Sequence, residues 1–458
     1  MKNMKTENVL KLILKMGMPM VISMMVNSLY NIVDSLFVAK MSENAMTALS
    51  LVFPIQNLIS SIMIGFGIGI NAVVSFYLGA GDRKRADKAA SQGLFLGTVH
   101  GLVFTVIGIT VMPWFLRMFT DDSEILSLGV QYTNVAFAFS VALSWELVFE
   151  KTFQAVGRMT ASMVCMLAGC IVNIILDPIL IFGLDMGMRG AALATITGQI
   201  ISFAISLRYM FHFKTIHLTR ESFVMRGEPC GNIFRFGASA CFNQIAMAIV
   251  QVVMNNTLSR YGAQSVYGGD IPLACSGIIS KVNMIFMAIV IGISQGTQPI
   301  IGFNYGAGKY RRVRKTYLLA LAAASALSVV AFAAFQIFPR QIISAFGEGS
   351  ELYFQFSERY FRIYMFLTIV NGIQPVTSNF FNSIGKARLG VFMSLTRQIL
   401  FLLPLIIIFP IFMGIDGVMY AGPIADGITA IVCGVFTVRE LKELTSIDRD
   451  AHEKAVKI

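Results

Sequence analysis

The stretch CMLAGCIVNIILDPILIFGLDMGMRGAALATITG, residues 165–198, places one carboxylate, Asp177, inside an apolar segment long enough to cross a bilayer. A charge at that depth costs about 2.5 kcal/mol or more unless it is paired or used. Asn173 lies one helical turn earlier, and Pro178 lacks the N–H that would bond the carbonyl of Ile174. These oxygens together predict a site for a cation or an exchanging proton.

The composition indicates a membrane protein. Of 458 residues, 56% are hydrophobic and 13% are charged, with a mean hydropathy of +0.70, whereas soluble domains carry about 25% charged residues. We therefore predict an all-α polytopic membrane protein with twelve transmembrane helices. The apolar windows lie at 12–38, 49–78, 90–116, 126–149, 160–183, 190–213, 233–258, 272–302, 316–338, 361–383, 389–412 and 417–438.

The net charge of +11 could indicate a nucleic-acid partner, but the basic residues alternate by loop. The tails and every second loop are rich in Lys and Arg, including RKR at 83–85 and RRVRK at 311–315. The opposite loops hold few basic residues, among them Lys40, Arg117, Arg189, Arg260 and Arg340. This distribution predicts that both termini are cytoplasmic and that the surplus charge faces membrane lipid, with no nucleic acid as partner.

The sequence repeats itself once. Gly65, Gly69 and the GAG of 79–81 recur as Gly292, Gly296 and the GAG of 306–308, and the GMRG of 187–190 recurs as GIDG at 414–417. Every one of these pairs is separated by the same distance along the chain, here called the repeat offset. Six spans in each copy give two parallel six-helix bundles around a central cleft. The predicted divisions are an N-terminal lobe at 1–213, a cytoplasmic linker at 214–232, a C-terminal lobe at 233–438 and a cytoplasmic tail at 439–458.

Polar residues of the N-terminal half share one depth. Asn27, Asn31 and Asp34 are spaced i, i+4, i+7 and therefore lie on one helix face. Counting about 1.5 Å per residue from the outer end of each span places four residues roughly 7–12 Å deep. They are Asp34, Tyr132, Asp177 and Thr195, with Asn173 one turn deeper. The alternative interpretation is a hydrogen-bonded cluster with a structural role only.

Other ionisable residues lie in predicted spans. Asp426 is expected to form a structural ion pair with Lys281 or, failing that, with Arg397, because a lone carboxylate near mid-bilayer is costly. Glu146 and Glu150 lie near the inner end of the fourth span. They are interpreted either as vestibule acids that attract cations or, more commonly for such a pair, as solvated side chains.

At these residues the sequence resembles the multidrug and toxic compound extrusion (MATE) family of bacterial secondary transporters. The resemblance covers the whole chain, and NIILDPILIFG at 173–183 is its most specific part. It implies that Asp34, Asn173, Asp177 and Thr195 bind the coupling cation, with Tyr30 and Tyr132 beside them. Asn27 and Asn31 are assigned to the substrate cleft. Spans seven, eight and ten carry no carboxylate, so a second cation site in the C-terminal half is not expected.

The resemblance implies a monomeric antiporter in the bacterial cytoplasmic membrane that exports small organic cations against inward Na⁺ or H⁺. No cofactor beyond that ion is expected, and the sequence leaves Na⁺ and H⁺ open. A flippase for lipid-linked substrates is the main alternative, although its anionic cargo would need a basic cleft. GAGD at 79–82 also matches an intramembrane aspartyl protease pattern, but its repeat copy reads GAGK. We therefore interpret it as a turn and the chain as a transporter without enzymatic activity.

Overall fold

The computed structural model describes residues 2–213, 215–218, 227–346 and 349–456, and nearly all of them are helical. The predicted all-helical fold class is confirmed. Residues 214 and 219–226 of the predicted linker lie outside the described residues, and helix α10 already begins at Gly227.

Nineteen α-helices and two π-helical segments, Ile179–Gly183 and Thr396–Leu402, make up the described part of the chain. The helices are α1 (Lys2–Thr6), α2 (Val9–Ala39), α3 (Glu43–Gly79), α4 (Arg83–Thr110), α5 (Met112–Arg117), α6 (Ser123–Ala138), α7 (Ser140–Ala155), α8 (Met159–Pro178), α9 (Gly187–Phe211), α10 (Gly227–Ala263), α11 (Asp270–Gly306), α12 (Tyr310–Ile337), α13 (Pro339–Ser344), α14 (Glu351–Tyr364), α15 (Thr368–Asn371), α16 (Ile373–Ser383), α17 (Ala387–Leu395), α18 (Leu403–Met413) and α19 (Ile415–Val456).

Ten helical stretches among the described residues are long and apolar enough to cross a membrane, and eleven if α6 and α7, bent by 50°, form one span. These stretches account for ten or eleven of the twelve predicted spans, and the count of twelve stays a prediction. The difference lies at 361–383, where the chain is divided among α14, α15 and α16. The first break follows Tyr364, and the second falls at Gly372.

The repeat extends to the helix boundaries. Helix α4 runs over Arg83–Thr110 and α12 over Tyr310–Ile337, so both ends are separated by the repeat offset. The broken helices α6 and α7 correspond in the same way to α14–α16, with an offset longer by a single residue. Gly81 and Gly308, at φ +83° and +70°, adopt the left-handed conformation that a tight turn between helices requires. The GAGD pattern is therefore part of a turn.

The two halves meet through glycines. Helix α3 packs on α10 and α2 packs on α11. A Cβ atom built on Gly237 would overlap the carbonyl oxygen of Gly65, and one on Gly296 would lie 2.5 Å from the Cα of Gly17. These residues lie in the helix portions nearer to the basic loops. The halves are therefore in direct backbone contact on that side of the molecule.

The C-terminal half has its own core and a buried ion pair. One hydrophobic cluster draws all its buried members from residues 250–444. Arg397 Nε donates to Asp426 Oδ1, and the two side chains are 14% and 2% exposed. The predicted partner Lys281 is thus wrong, and the alternative, Arg397, is correct. The π-helical segment that carries Arg397 packs on α19, whereas Lys281 projects from α11.

Candidate functional site

Two helices bring the predicted carboxylates together. Helix α2 carries Asp34 and packs on α8, which carries Asp177. Asp177 is fully buried, and neither of its carboxylate oxygens has a hydrogen-bond partner among the described residues. Asp34 Oδ1 is likewise buried without one, and the two carboxyl groups interact directly with each other. The site therefore presents at least three carboxylate oxygens that need a proton or a cation.

An amide and a hydroxyl complete the inner side of the site. Asn173 Nδ2 donates to Thr195 Oγ1 at 3.3 Å, while Asn173 Oδ1 is buried without a donor. The helices can approach this closely because α8 and α9 touch at glycines. A Cβ atom on Gly198 would overlap the carbonyl oxygen of Gly169. Asn173 therefore adds a fourth unpartnered oxygen beside the carboxylates.

The backbone also departs from regular helix at this point. Pro178 ends α8, and the N–H of Ile179 donates to Leu176 O, so neither residue supplies a donor to the carbonyl of Ile174. The following residues form the π-helical segment Ile179–Gly183. Irregular turns of this kind in membrane helices expose carbonyls that can coordinate an ion. The sequence-based expectation for Ile174 agrees with this geometry.

Two tyrosines flank the carboxylates. Tyr30 lies near Thr195, Asp34 and Tyr132. Tyr132 is 5% exposed, and its hydroxyl accepts a hydrogen bond from Gln56 Nε2 at 3.4 Å. Gln56 was not predicted from the sequence. It is one of several polar residues in the apolar window 49–78, and nothing in its spacing marks it.

Asn27 and Asn31 belong to the same helix as Asp34 but not to the same cluster. Asn31 Nδ2 donates to the backbone oxygen of Asn27 at 2.7 Å, which directs the amide along α2. No hydrogen bond joins Asn27 or Asn31 to the carboxylates among the residues that the structure describes. Their assignment to the substrate cleft stays a prediction.

A second polar cluster lies deeper in the N-terminal half. Lys151 Nζ is 3.3 Å from Glu150 Oε1, and these side chains are 5% and 2% exposed. The interpretation of this pair of acids as solvated is therefore wrong for Glu150. Lys151 also donates to Gln295 of α11 at 3.3 Å, and Ser202 donates to Glu146 at 2.8 Å. The cluster thus joins the two halves at a buried position.

The fold and this site define a class: a helical membrane transporter with an internal repeat and a buried acidic site in one half. The family model MatE matches residues 19–179 and 240–408, one stretch in each half of the chain. The chain therefore belongs to the multidrug and toxic compound extrusion (MATE) family and is a transporter, not an enzyme.

Similar proteins extend over nearly the whole chain. The multidrug export protein MepA of Staphylococcus haemolyticus is 24% identical over 447 residues, and MepA of Staphylococcus aureus is 24% identical over 444 residues, with 96% of each chain covered. A multidrug resistance MATE family transporter of the MOP superfamily, solved in an outward-facing conformation, superposes with a TM-score of 0.91 at 22% identity. That match covers 97% of this chain and 98% of the other. A MOP superfamily transporter from Pyrococcus furiosus, described as having a binding pocket of reverse polarity, gives a TM-score of 0.89 at 22% identity over 97% and 98% of the chains.

Proposed function

We propose that the protein is a cation-coupled antiporter in which inward movement of Na⁺ or H⁺ drives the export of small organic cations. The observation that carries the proposal is the group of buried, unpartnered oxygens on Asp34, Asp177 and Asn173. Two adjacent negative charges in a low-dielectric environment repel each other, and a bound cation or a shared proton relieves the repulsion. Loading and unloading of that site is what a coupling step requires.

Each site residue then has a role. Asp34 and Asp177 balance the charge of the bound ion. Asn173, Thr195 and the carbonyl of Ile174 each supply a neutral oxygen. Tyr30 and Tyr132 limit access of water from the outer side. This donor set of carboxylate, amide, hydroxyl and carbonyl oxygens suits Na⁺, and the carboxyl pair equally suits a proton.

The proposed architecture consists of two six-helix lobes with twelve membrane crossings. In this arrangement α6–α7 and the repeat-related α14–α16 each form one broken crossing, since a single constant offset relates their outer bounds. Both termini are proposed to be cytoplasmic because the basic loops lie on their side. The glycine contacts between α3 and α10 and between α2 and α11 would then close the cytoplasmic side.

The substrate class follows from the same charges. A cleft beside two carboxylates attracts cations, and apolar surroundings favour an aromatic or aliphatic body on the substrate. The Staphylococcus relatives are named as multidrug exporters, which agrees with broad selectivity. The flippase alternative predicts an anionic, lipid-linked cargo instead.

The test uses purified protein in proteoliposomes with an imposed Na⁺ gradient or an imposed pH gradient, each alone. A fluorescent organic cation reports transport. Asp34→Asn and Asp177→Asn should each abolish gradient-driven transport, because the amide keeps the shape but does not exchange charge. Asp185→Asn is the matched control and should transport normally. Asp185 lies on the exposed turn that follows α8 and its π-helical segment.

Normal transport by either site variant would remove the carboxylates from the mechanism. Transport confined to anionic lipid-linked compounds would favour the flippase. The gradient that drives uptake identifies the coupling ion.

A further inference from the structure

A basic groove lies at the start of α12. Arg311, Arg314, Lys315 and Leu318 are spaced i, i+3, i+4, i+7 on one face of the helix, and together with Leu319 they line a groove of about 290 Å³. Arg314 Nε is buried and has no hydrogen-bond partner among the described residues. Leu318, one turn further into the span, is 45% exposed. The groove therefore combines basic side chains and one unsatisfied donor, Arg314 Nε, with an open apolar surface.

The repeat shows what covers this face in the other half. The repeat offset equates Asp87 of α4 with Arg314, and Asp87 Oδ1 accepts a hydrogen bond from the backbone N–H of His217 at 3.0 Å. Ile216 beside it is 2% exposed. Ser91, the equivalent of Leu318, is fully buried. In the N-terminal half, the chain that follows α9 therefore covers the groove position.

The C-terminal half is built differently at each of these points. Helix α19 continues without interruption to Val456, whereas the chain after α9 folds back over α4. The extension of α19 contacts another part of the half, where Lys386 donates to Glu440 at 2.7 Å. The start of α12 has no side-chain cap, whereas Asp82 caps α4 by accepting from the N–H of Arg85 at 3.0 Å. Asp87 in the N-terminal half is thus matched by Arg314 in the C-terminal half. The capped start of α4 is matched by the uncapped start of α12.

We propose that this groove binds the phosphate of an anionic phospholipid in the leaflet on the side of the basic loops. The phosphate accepts hydrogen bonds from the guanidinium groups, and the uncapped start of α12 adds favourable backbone N–H groups. The exposed Leu318 gives the acyl chains an apolar surface to follow along the span. This lipid site is independent of the ion-coupling proposal, because none of its residues contacts the carboxylate cluster.

The experiment compares two triple variants that remove the same charge. The groove variant is Arg311→Gln, Arg314→Gln and Lys315→Gln. The control variant, Arg83→Gln, Lys84→Gln and Lys88→Gln, lies in the repeat-related part of α4. Each protein is placed in nanodiscs of phosphatidylcholine with increasing phosphatidylglycerol, and bound lipid is counted by native mass spectrometry.

The groove variant loses the charge-assisted hydrogen bonds to the lipid phosphate, which the control variant does not make, so its affinity for phosphatidylglycerol should fall on the order of a hundredfold. We expect that loss in the groove variant, together with loss of thermal stabilisation by phosphatidylglycerol, and near wild-type behaviour in the control. Equal losses in both variants would show general surface electrostatics and overturn the proposal. Inorganic phosphate could also stabilise the wild-type protein in pure phosphatidylcholine nanodiscs as strongly as phosphatidylglycerol does. That result would identify the occupant as a free phosphate and would also overturn the proposal. If the groove variant fails to fold, Arg314→Gln alone is compared with Lys84→Gln by the same two measurements.

Discussion

Replacing Asp426 by Ala is expected to destabilise the protein by about 3–5 kcal/mol, the usual cost of leaving one member of a buried ion pair without its partner. The structure supports a value in this range. Arg397 and Asp426 are 14% and 2% exposed, and Arg397 also contacts the Tyr364 hydroxyl. Without Asp426, the guanidinium keeps one neutral partner and little access to water, so its charge is poorly compensated.

The double variant Arg397→Leu, Asp426→Leu removes both charges and should recover most of the loss, since apolar residues often replace a buried pair without net cost. The control is Asp416→Ala, which breaks the pair between Arg359 and Asp416 at 2.8 Å. Those side chains are 48% and 32% exposed, so the control should cost about 1 kcal/mol or less.

The assay is thermal unfolding of the purified protein in detergent, followed by intrinsic fluorescence, together with the folded yield from size-exclusion chromatography. A midpoint for Asp426→Ala equal to that of Asp416→Ala would refute the reasoning. Normal stability combined with lost gradient-driven transport would instead make Asp426 a transport acid.

The remaining predictions concern the contact between the halves. Gly237→Ala should lower the unfolding midpoint and slow transport, because its Cβ would overlap a backbone oxygen of α3 and overpacking typically costs about 1–3 kcal/mol. Gly231→Ala on the same helix meets nothing within 4 Å and should behave as wild type in both assays. Lys151→Met should lower the midpoint well beyond Gln295→Leu, because it leaves Glu150 buried without a cation whereas the second change removes a single hydrogen bond. Equal midpoints for these two variants would show that the lysine does not stabilise the acid.

Much of the fold could be predicted because the physical signals are local. Apolar windows of span length mark membrane helices, and the repeat offset between the glycine motifs recurs in the helix bounds of α4 and α12. The common depth of Asp34 and Asp177 could also be predicted, because counting residues from the span ends gives depth directly. Depth and polarity together are enough to predict which polar residues of separate helices lie at the same level of the membrane.

The parts that could not be predicted depend on which helices are neighbours. Lys281 lies ten residues after Ile271 and Asp426 ten after Asp416, which predicts matching depths for the two side chains. Asp426 nevertheless pairs with Arg397, because the π-helical segment Thr396–Leu402 packs on α19. Gln56 reaches Tyr132 for the same kind of reason. Depth fixes one coordinate of a residue in a membrane, while the order of helices around the bundle fixes the other, and single-sequence patterns do not report it.

The repeat also allows the coupling site in the N-terminal half to be compared with the equivalent positions in the C-terminal half. The offset that relates the end of α7 to the end of α16 equates Asn173 and Asp177 with Phe401 and Leu405. The C-terminal half therefore offers apolar side chains where the N-terminal half offers oxygens. By the same offset Arg397 replaces Gly169, and its guanidinium is held by Asp426. A tethered cation already neutralises the buried carboxylate in that half. In the N-terminal half, Asp34 and Asp177 have no resident cation among the described residues. This difference is the physical reason to expect exchange of a mobile ion at that pair.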